Sequence, residues 1–377
     1  MSPYYNDEHA AFRATLRRFV DQEIAPFVDA WDEAESFPRE LYAKASQIGL
    51  IGLHFPEEYG GTPADPLYTI IAAEELARAG SGGVSAGLMS HGIALPPIAA
   101  VGSPELKARV IPPVLRGEKI AALAITEPSG GSDVANLKTT ARREGDHYIV
   151  KGSKTFITSG MRADYYTVAV RTGGAGMGGI SLLVIEKGTP GLSATPLKKM
   201  GWWASDTATL YFDDCRVPAE NLVGEENQGF LAMMLNFNME RLALAATAYA
   251  FARVAYDEAL AYAKERETFG RALIHRQVIR HKLVDLATRI EATKAFVEAI
   301  AYRMGQGDSP VAEICMLKNF AVDTMEMCAK ESVQILGGAG FLRGAKSERI
   351  YREVKVVAIG GGASEILKDL ASRQLDW

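Results

Sequence analysis

From residue 9 to about residue 114, apolar positions return every third or fourth place, as Phe12, Leu16, Phe19, Val20 and Ile24 do. That spacing puts them on one face of a helix. Pro26, Pro38 and the turn Gly60-Gly61-Thr62-Pro63 divide the run into separate helices, and a second regular stretch predicts a helix over 67–78. Ser103-Pro104-Glu105-Leu106 reads as an N-cap followed by proline at the first helical position. Residues 80–92 are rich in Gly and Ser and lead into Pro96-Pro97. So few side chains predict a close approach of helices or room for a ligand.

Near Ala121 the helical period gives way to short β-rich runs separated by Gly, Asp and Asn, and strands are expected over 121–126, 139–143, 147–151, 155–158, 165–171, 180–186 and 209–212. Within this region Gly174, Gly176 and Gly179 match the GxGxxG spacing of dinucleotide loops. Such a loop must open a helix, whereas Ile180-Ser181-Leu182-Leu183-Val184-Ile185 is a strand, so the tract reads as a flexible hairpin loop. After Asn221-Leu222-Val223-Gly224 the helical period returns, with helices expected over 229–266, 275–304, 309–336, 345–357 and 364–374. Long helices joined by short turns form antiparallel bundles. The pattern predicts an α+β chain: an N-terminal helical domain (1–119), a central β-barrel-like domain (120–224) and a C-terminal four-helix-type bundle (225–377).

Composition narrows the function. A chain of 377 residues, 48% hydrophobic, has ample core for such domains. Its net charge of -5 argues against a broad nucleic-acid surface. Cys215, Cys315 and Cys328 have no CxxC spacing, and six His without an acid cluster predict no metal site. The polar start, with Asp7 and Glu8, resembles neither a secretory signal nor an Arg-rich transit peptide, and no apolar run reads as a membrane span. A cytoplasmic protein is expected.

The stretch 231–253 is built mainly of Ala, Leu and Met, with Glu240 in its middle and only Arg241 and Arg253 as further charges. A helix with so few polar positions is mostly buried. Burial makes Glu240 a stronger base and the neighbouring guanidinium opposes that shift, so the residues alone allow either a structural Glu–Arg pair or a reactive carboxylate. Four other stretches carry more chemistry than a scaffold requires. Thr126-Glu127-Pro128-Ser129-Gly130-Gly131-Ser132-Asp133 leaves a strand for a Gly loop with hydroxyls and accessible N–H groups. In Lys154-Thr155-Phe156-Ile157-Thr158-Ser159-Gly160, two-residue alternation puts Phe156 and Thr158 on one strand face, suited to a flat ring with a polar edge or to core packing. Arg266-Glu267-Thr268-Phe269-Gly270 with Gln277 joins two helices and offers a diphosphate clamp or ordinary capping. Gln334-Ile335-Leu336-Gly337-Gly338-Ala339-Gly340 turns a helix end into an open, close-approach loop.

Together these stretches resemble the acyl-CoA dehydrogenase family. The resemblance runs through TEPSGGSD (126–133), KTFITSG (154–160), GWWASDTATLYFDDCRVP (201–218), RETFG (266–270), QILGGAGF (334–341) and YREVKVVAIGGGASEI (351–366). It implies the acyl-CoA dehydrogenase fold and an FAD enzyme that removes hydrogen from the α and β carbons of an acyl-CoA thioester, giving a trans-2-enoyl-CoA. Leu123, Ile125, Thr126, Ser132, Phe156 and Thr158 are implied to contact the flavin of their own subunit, with Ser364 also at the cofactor. Arg266, Thr268, Phe269, Gln277, Gln334, Gly337 and Gly338 are implied to reach FAD across a subunit interface. An electron-transfer flavoprotein is the implied electron acceptor, and a homo-oligomer, a dimer of dimers, the implied assembly.

The chain departs from the family at the last motif. Many members carry their catalytic Glu where Gly361 stands here, and the Thr that follows is replaced by Ala363. The isovaleryl-CoA and long-chain branch instead has its base immediately before the Arg of the first C-terminal-domain helix, which is Glu240 here. The resemblance then implies Glu240 as base, the backbone N–H of Gly361 as donor to the thioester carbonyl, Arg241 as a support of the site, and Asn238 and Ser132 beside the pantetheine. With the base at Glu240, Gly360, Gly361 and Gly362 are expected to leave open volume for a branched or medium-to-long acyl chain, with extra depth from small residues in 85–94. Two other readings share these residues: a flavin oxidase or monooxygenase on the same fold, and a non-catalytic flavoprotein subunit.

Overall fold

The computed structural model describes residues 3–377; the polar start read from the sequence falls partly on Met1 and Ser2, which lie outside the described residues. Eight helices come first: α1 (Asp7–Glu23), α2 (Val28–Glu33), α3 (Glu40–Gln47), α4 (Leu67–Ala77), α5 (Gly82–Leu88), α6 (His91–Ala94), α7 (Pro96–Val101) and α8 (Pro104–Leu115). α1 opens on a capping box. Asn6 Oδ1 accepts from His9 N at 3.0 Å, and His9 Nδ1 accepts from Asn6 N at 3.1 Å. Ser103 caps α8 as its sequence predicts, accepting from Leu106 N at 3.2 Å.

The glycines of α5 serve packing. A β-carbon on Gly83 would stand 3.0 Å from the Trp202 carbonyl carbon and one on Gly87 2.7 Å from the Phe37 ring, so these positions admit neighbouring chain rather than a ligand. The extra pocket depth expected in 85–94 is therefore absent at Gly87, which Phe37 fills; Gly92 alone among the glycines of that stretch faces open space.

Seven strands form the central curled sheet: β1 (Ala121–Ala124), β2 (Thr140–Glu144), β3 (His147–Thr158), β4 (Tyr165–Arg171), β5 (Ile180–Glu186), β6 (Leu192–Pro196) and β7 (Thr207–Pro218). Their order is β1-β4-β2-β3-β7-β6, with β5 also on β4. β1 runs parallel to β4, while β3, β7 and β6 are successively antiparallel. The runs expected at 147–151 and 155–158 are one strand, continuous through two register shifts against β7. β6, which the sequence reading does not include, is a short alternation of half-buried Leu192 and Ala194 with exposed Ser193 and Thr195, paired antiparallel to β7. The GxGxxG tract lies between β4 and β5, as a hairpin loop.

The C-terminal part contains α9 (Gly229–Met234), α10 (Phe237–Glu265), a two-stranded turn of β8 (Glu267–Thr268) and β9 (Arg271–Ala272), then α11 (Gln277–Gly305), α12 (Val311–Leu336), α13 (Lys346–Ile359) and α14 (Ser364–Gln374). The single helix expected over 229–266 is broken at Leu235 and Asn236. Gly229 is seated on the backbone of β5, where a β-carbon would stand 2.6 Å from the Ser181 carbonyl carbon, so α9 stays with the sheet while α10 joins the bundle. Asn236 anchors the break, donating to Gly92 O at 3.3 Å.

Two cores result. One spans the N-terminal helices and the sheet; the other joins α4, through Leu67, Ile70 and Ala77, to the small-residue face of α10 and to α12. Glu353 of α13 ties all three parts together, accepting from Gly82 N at 2.7 Å and from Trp202 N at 3.3 Å.

Candidate active site

The helix break creates the site. Glu240 lies in the first turn of α10 instead of mid-helix as the sequence pattern suggests, and a helix N-terminus favours negative charge. It forms one wall of a narrow pocket whose other walls are Ile93, Pro97, Leu123, Met233, Asn236 and Phe237. These come from α6, α7, β1, α9 and α10, so the pocket sits where the helices meet the sheet.

Glu240 is partly buried, and its carboxylate oxygens accept no hydrogen bond from the described residues. Burial pushes the carboxyl above its usual range; the charges of Arg241 and of Lys318 on α12 pull it back. The structural Glu–Arg pair is not formed. Adjacent residues on a helix point in different directions, and Arg241 is buried with its guanidinium 5.3 Å from the Phe237 ring centroid and its Nε without a partner.

Gly361, between α13 and α14, has φ +66°, and a β-carbon there would run into Leu244 and stand 3.5 Å from Glu240 Oε1. The open volume expected around Gly360, Gly361 and Gly362 is absent. Leu244 occupies it at Gly361, and Leu367 Cδ2 would lie 2.9 Å from a β-carbon on Gly362. Lys318, which sequence reasoning missed, is fully buried and donates to the carbonyls of Gly360 and Gly362, each at 2.8 Å. The signal was a lysine on the buried stripe of Ile314, Leu317, Ala321 and Met325.

At the edge of the pocket a second cluster is knitted together. Thr155 N donates to Thr126 O at 2.8 Å, and buried Lys154 donates to Ile125 O at 3.0 Å and to Glu127 at 2.7 Å. Glu127 also accepts from Lys138 N and Thr139 N, and these donors hold its carboxyl down at about 2 despite burial. Ile125, Thr126, Phe156 and Thr158 are thus brought to one end of the sheet. Strict alternation does not put Phe156 there. The register shift between Lys154 and Ile157 gives it φ +60° and leaves its ring 69% exposed. Ser132 lies in the exposed loop beyond. Asn238 donates to Ser309 Oγ at 3.1 Å, and Ser364, first residue of α14, is held by Asn319 Nδ2 on its carbonyl at 3.0 Å.

The remaining candidates gather elsewhere. Arg266 caps α10, Thr268 is in β8, Gln277 opens α11, and Gln334 is in the last turn of α12 before Gly337 and Gly338. Phe269 at the turn is 97% exposed with φ +51°. Arg266 is twenty-six positions beyond Glu240 along α10 and its cap, a rise of about 39 Å at 1.5 Å per residue. One chain does not bring this group to the Glu240 pocket.

Comparison with known proteins decides what this arrangement belongs to. The acyl-CoA dehydrogenase N-terminal, middle and C-terminal domain families match residues 6–118, 122–215 and 227–375. The chain belongs to the acyl-CoA dehydrogenase family. It is 38% identical to an acyl-CoA dehydrogenase of Bacillus subtilis, covering 99% of each chain, and 36% identical to the mitochondrial long-chain specific acyl-CoA dehydrogenase of Rattus norvegicus, covering 98% of this chain and 87% of that one. The crystal structure of acyl-CoA dehydrogenase from Geobacillus kaustophilus superposes with a TM-score of 0.96 at 37% identity, over 100% of both chains.

Acyl-CoA dehydrogenases are FAD oxidoreductases, and this chain has features that fit the cofactor. Side chains at Gly337, Gly338 and Gly130 would meet nothing within 4 Å, leaving bare backbone for a ligand to approach. Phe156 and Phe269 are held outward in a backbone conformation that costs energy for such residues. Two exposed aromatic faces held under strain suit stacking against a flat ring system.

Proposed function

We propose that Glu240 is the base of an α,β-dehydrogenation that converts an acyl-CoA thioester to its trans-2-enoyl form. The observation that carries this reading is a partly buried carboxylate without a hydrogen-bond partner on the wall of an apolar pocket. An α-proton beside a thioester is weakly acidic, so removing it takes a base of raised proton affinity and a donor where enolate charge gathers. Burial supplies the first at Glu240. The Gly361 N–H, unpaired among the described residues, is the proposed second. FAD, when bound, supplies the acceptor for the β-hydrogen.

The other roles follow. Leu123, Ile125, Thr126, Ser132, Phe156, Thr158 and Ser364 hold the flavin of their own subunit; Asn238, Ser132 and Arg241 face the pantetheine end of the substrate. The distance along α10 supports assigning Arg266, Thr268, Phe269, Gln277, Gln334, Gly337 and Gly338 to the cofactor of a second copy. A homodimer is then the minimal unit and a dimer of dimers the proposed assembly. Electrons pass to an electron-transfer flavoprotein.

The apolar lining supports an apolar acyl group, and a branched or medium-to-long chain is the proposed class. Each buried methylene contributes about 0.8 kcal/mol, so kcat/KM should rise about fourfold per added CH2 until the pocket is full. The test is an anaerobic titration of the FAD-loaded protein with short, long, isovaleryl and terpenoid acyl-CoAs. Bleaching of the flavin band by one class, lost in Glu240→Gln, supports the reading. Undiminished bleaching in that variant removes Glu240 as the base, and rapid reoxidation by air would mark an oxidase.

A further inference from the structure

A buried ammonium has to find acceptors, and Lys318 makes no ion pair within contact distance among the described residues. Its two acceptors are the carbonyls that bracket Gly361. In a trans peptide the C=O and the following N–H point in opposite directions. Drawing the Gly360 carbonyl onto Lys318 therefore turns the Gly361 N–H away from α12, where it has no partner among the described residues. Three successive glycines give this turn little rigidity of their own. The ammonium supplies it from a helix packed in the core.

We propose that Lys318 is a positioning residue for α-proton removal: holding the carbonyls on either side of Gly361, it fixes that N–H beside the Glu240 carboxylate and adds a positive charge to its surroundings. This rests on Glu240 being the base. The charged groups that act on Glu240 are Arg241 on its own helix and Lys318 on α12, and both lower its carboxyl; Cys315 on α12 lies by Arg241 and Lys318. No titratable side chain lies among Gly360, Gly361 and Gly362. Lys318 thus combines a mechanical and an electrostatic effect, and variants separate them.

In Lys318→Met, made as the FAD-loaded oligomer, kcat should fall about 100-fold, the scale of a misplaced catalytic group, with KM little changed. The acid limb of the kcat/KM profile should move to higher pH, because a charge that favoured ionised Glu240 is gone. Lys318→Gln keeps a neutral donor, so it should recover part of kcat and retain the shifted limb. Wild-type kcat and an unshifted limb in Lys318→Met would overturn the proposal; if that variant does not fold, an unshifted limb in Lys318→Gln would do so. Washout of deuterium from an α-labelled acyl-CoA separates this from the base assignment. Washout surviving in Glu240→Gln sinks the base. Washout lost there but running at the wild-type rate in a folded Lys318 variant sinks the positioning role alone.

Discussion

Glu240 and Gly361 are direct neighbours: Oε1 of Glu240 lies 3.5 Å from where a β-carbon on Gly361 would stand. A carboxylate carried by residue 361 would point into the space that Glu240 already serves, from α10 on one side or the α13–α14 turn on the other. Two carboxylates there would share a proton, one being driven well above its usual range. Gly361→Glu in the wild-type background is accordingly expected to shift the acid limb of kcat/KM upward and lower activity, and the positive φ and Leu244 add strain. Glu240→Gln alone should cost on the order of 10² to 10⁴ in kcat. A Gly361→Glu enzyme with an unchanged pH profile would contradict this shared volume.

Glu353 predicts a pH dependence of stability. Burial raises its carboxyl to about 7, although it accepts from Gly82 N and is drawn down by Arg349 and Arg352. A carboxyl whose folded pKa exceeds its unfolded one favours the folded state most below the unfolded value, and that stability is lost as pH rises from about 4.5 to about 7. The loss is about 3 kcal/mol. Glu353→Gln, which keeps an acceptor, should flatten this dependence. Its stability relative to wild type should improve between pH 5 and pH 8, as read by urea midpoints. A relative stability constant with pH would show that Glu353 does not titrate in that window.

Ala363 predicts a stabilising change. It is the N-cap of α14 and offers no side-chain acceptor. Ala363→Thr or Ala363→Ser should gain about 1 kcal/mol by capping, visible as a raised Tm.

The architecture was legible wherever the period was long. The ends of β4, β5 and α14 agree with expectation because a continuous buried run in each strand, and the helical recurrence in α14, last up to their termini. What the pattern concealed were tertiary interruptions. The break at Leu235 and Asn236 follows from Gly229 meeting β5 and Asn236 meeting Gly92, contacts between residues far apart in sequence. The outward turn of Phe156 follows from a bulge against β7 that strict alternation does not encode. The sequence pattern marks Glu240 as a buried acid, but its unpaired carboxylate and Lys318's hold on the neighbouring turn depend on contacts between residues far apart in the chain. The signal of β6 is weak because its alternation spans only Leu192 to Thr195 and buries none of these residues fully.

The 39 Å scale along α10 leads to the most discriminating prediction. If Gly338 serves the flavin of a second copy, a Glu240→Gln chain and a Gly338→Val chain are each inactive alone for different reasons. In a mixed dimer, one site combines both defects, while the other combines intact Glu240 with the intact Gly338 of the Glu240→Gln chain. Two-fold symmetry makes half of randomly mixed dimers heterodimers, each with one working site, so about one quarter of wild-type activity should return on refolding the two together. If each chain completed its own cofactor site, neither site of the heterodimer would be repaired and the mixture would stay inactive. The open backbone at Gly338, with nothing within 4 Å, makes the valine change a block on ligand approach and not on the folding of the bundle. Equal melting temperatures of the two parents would verify that.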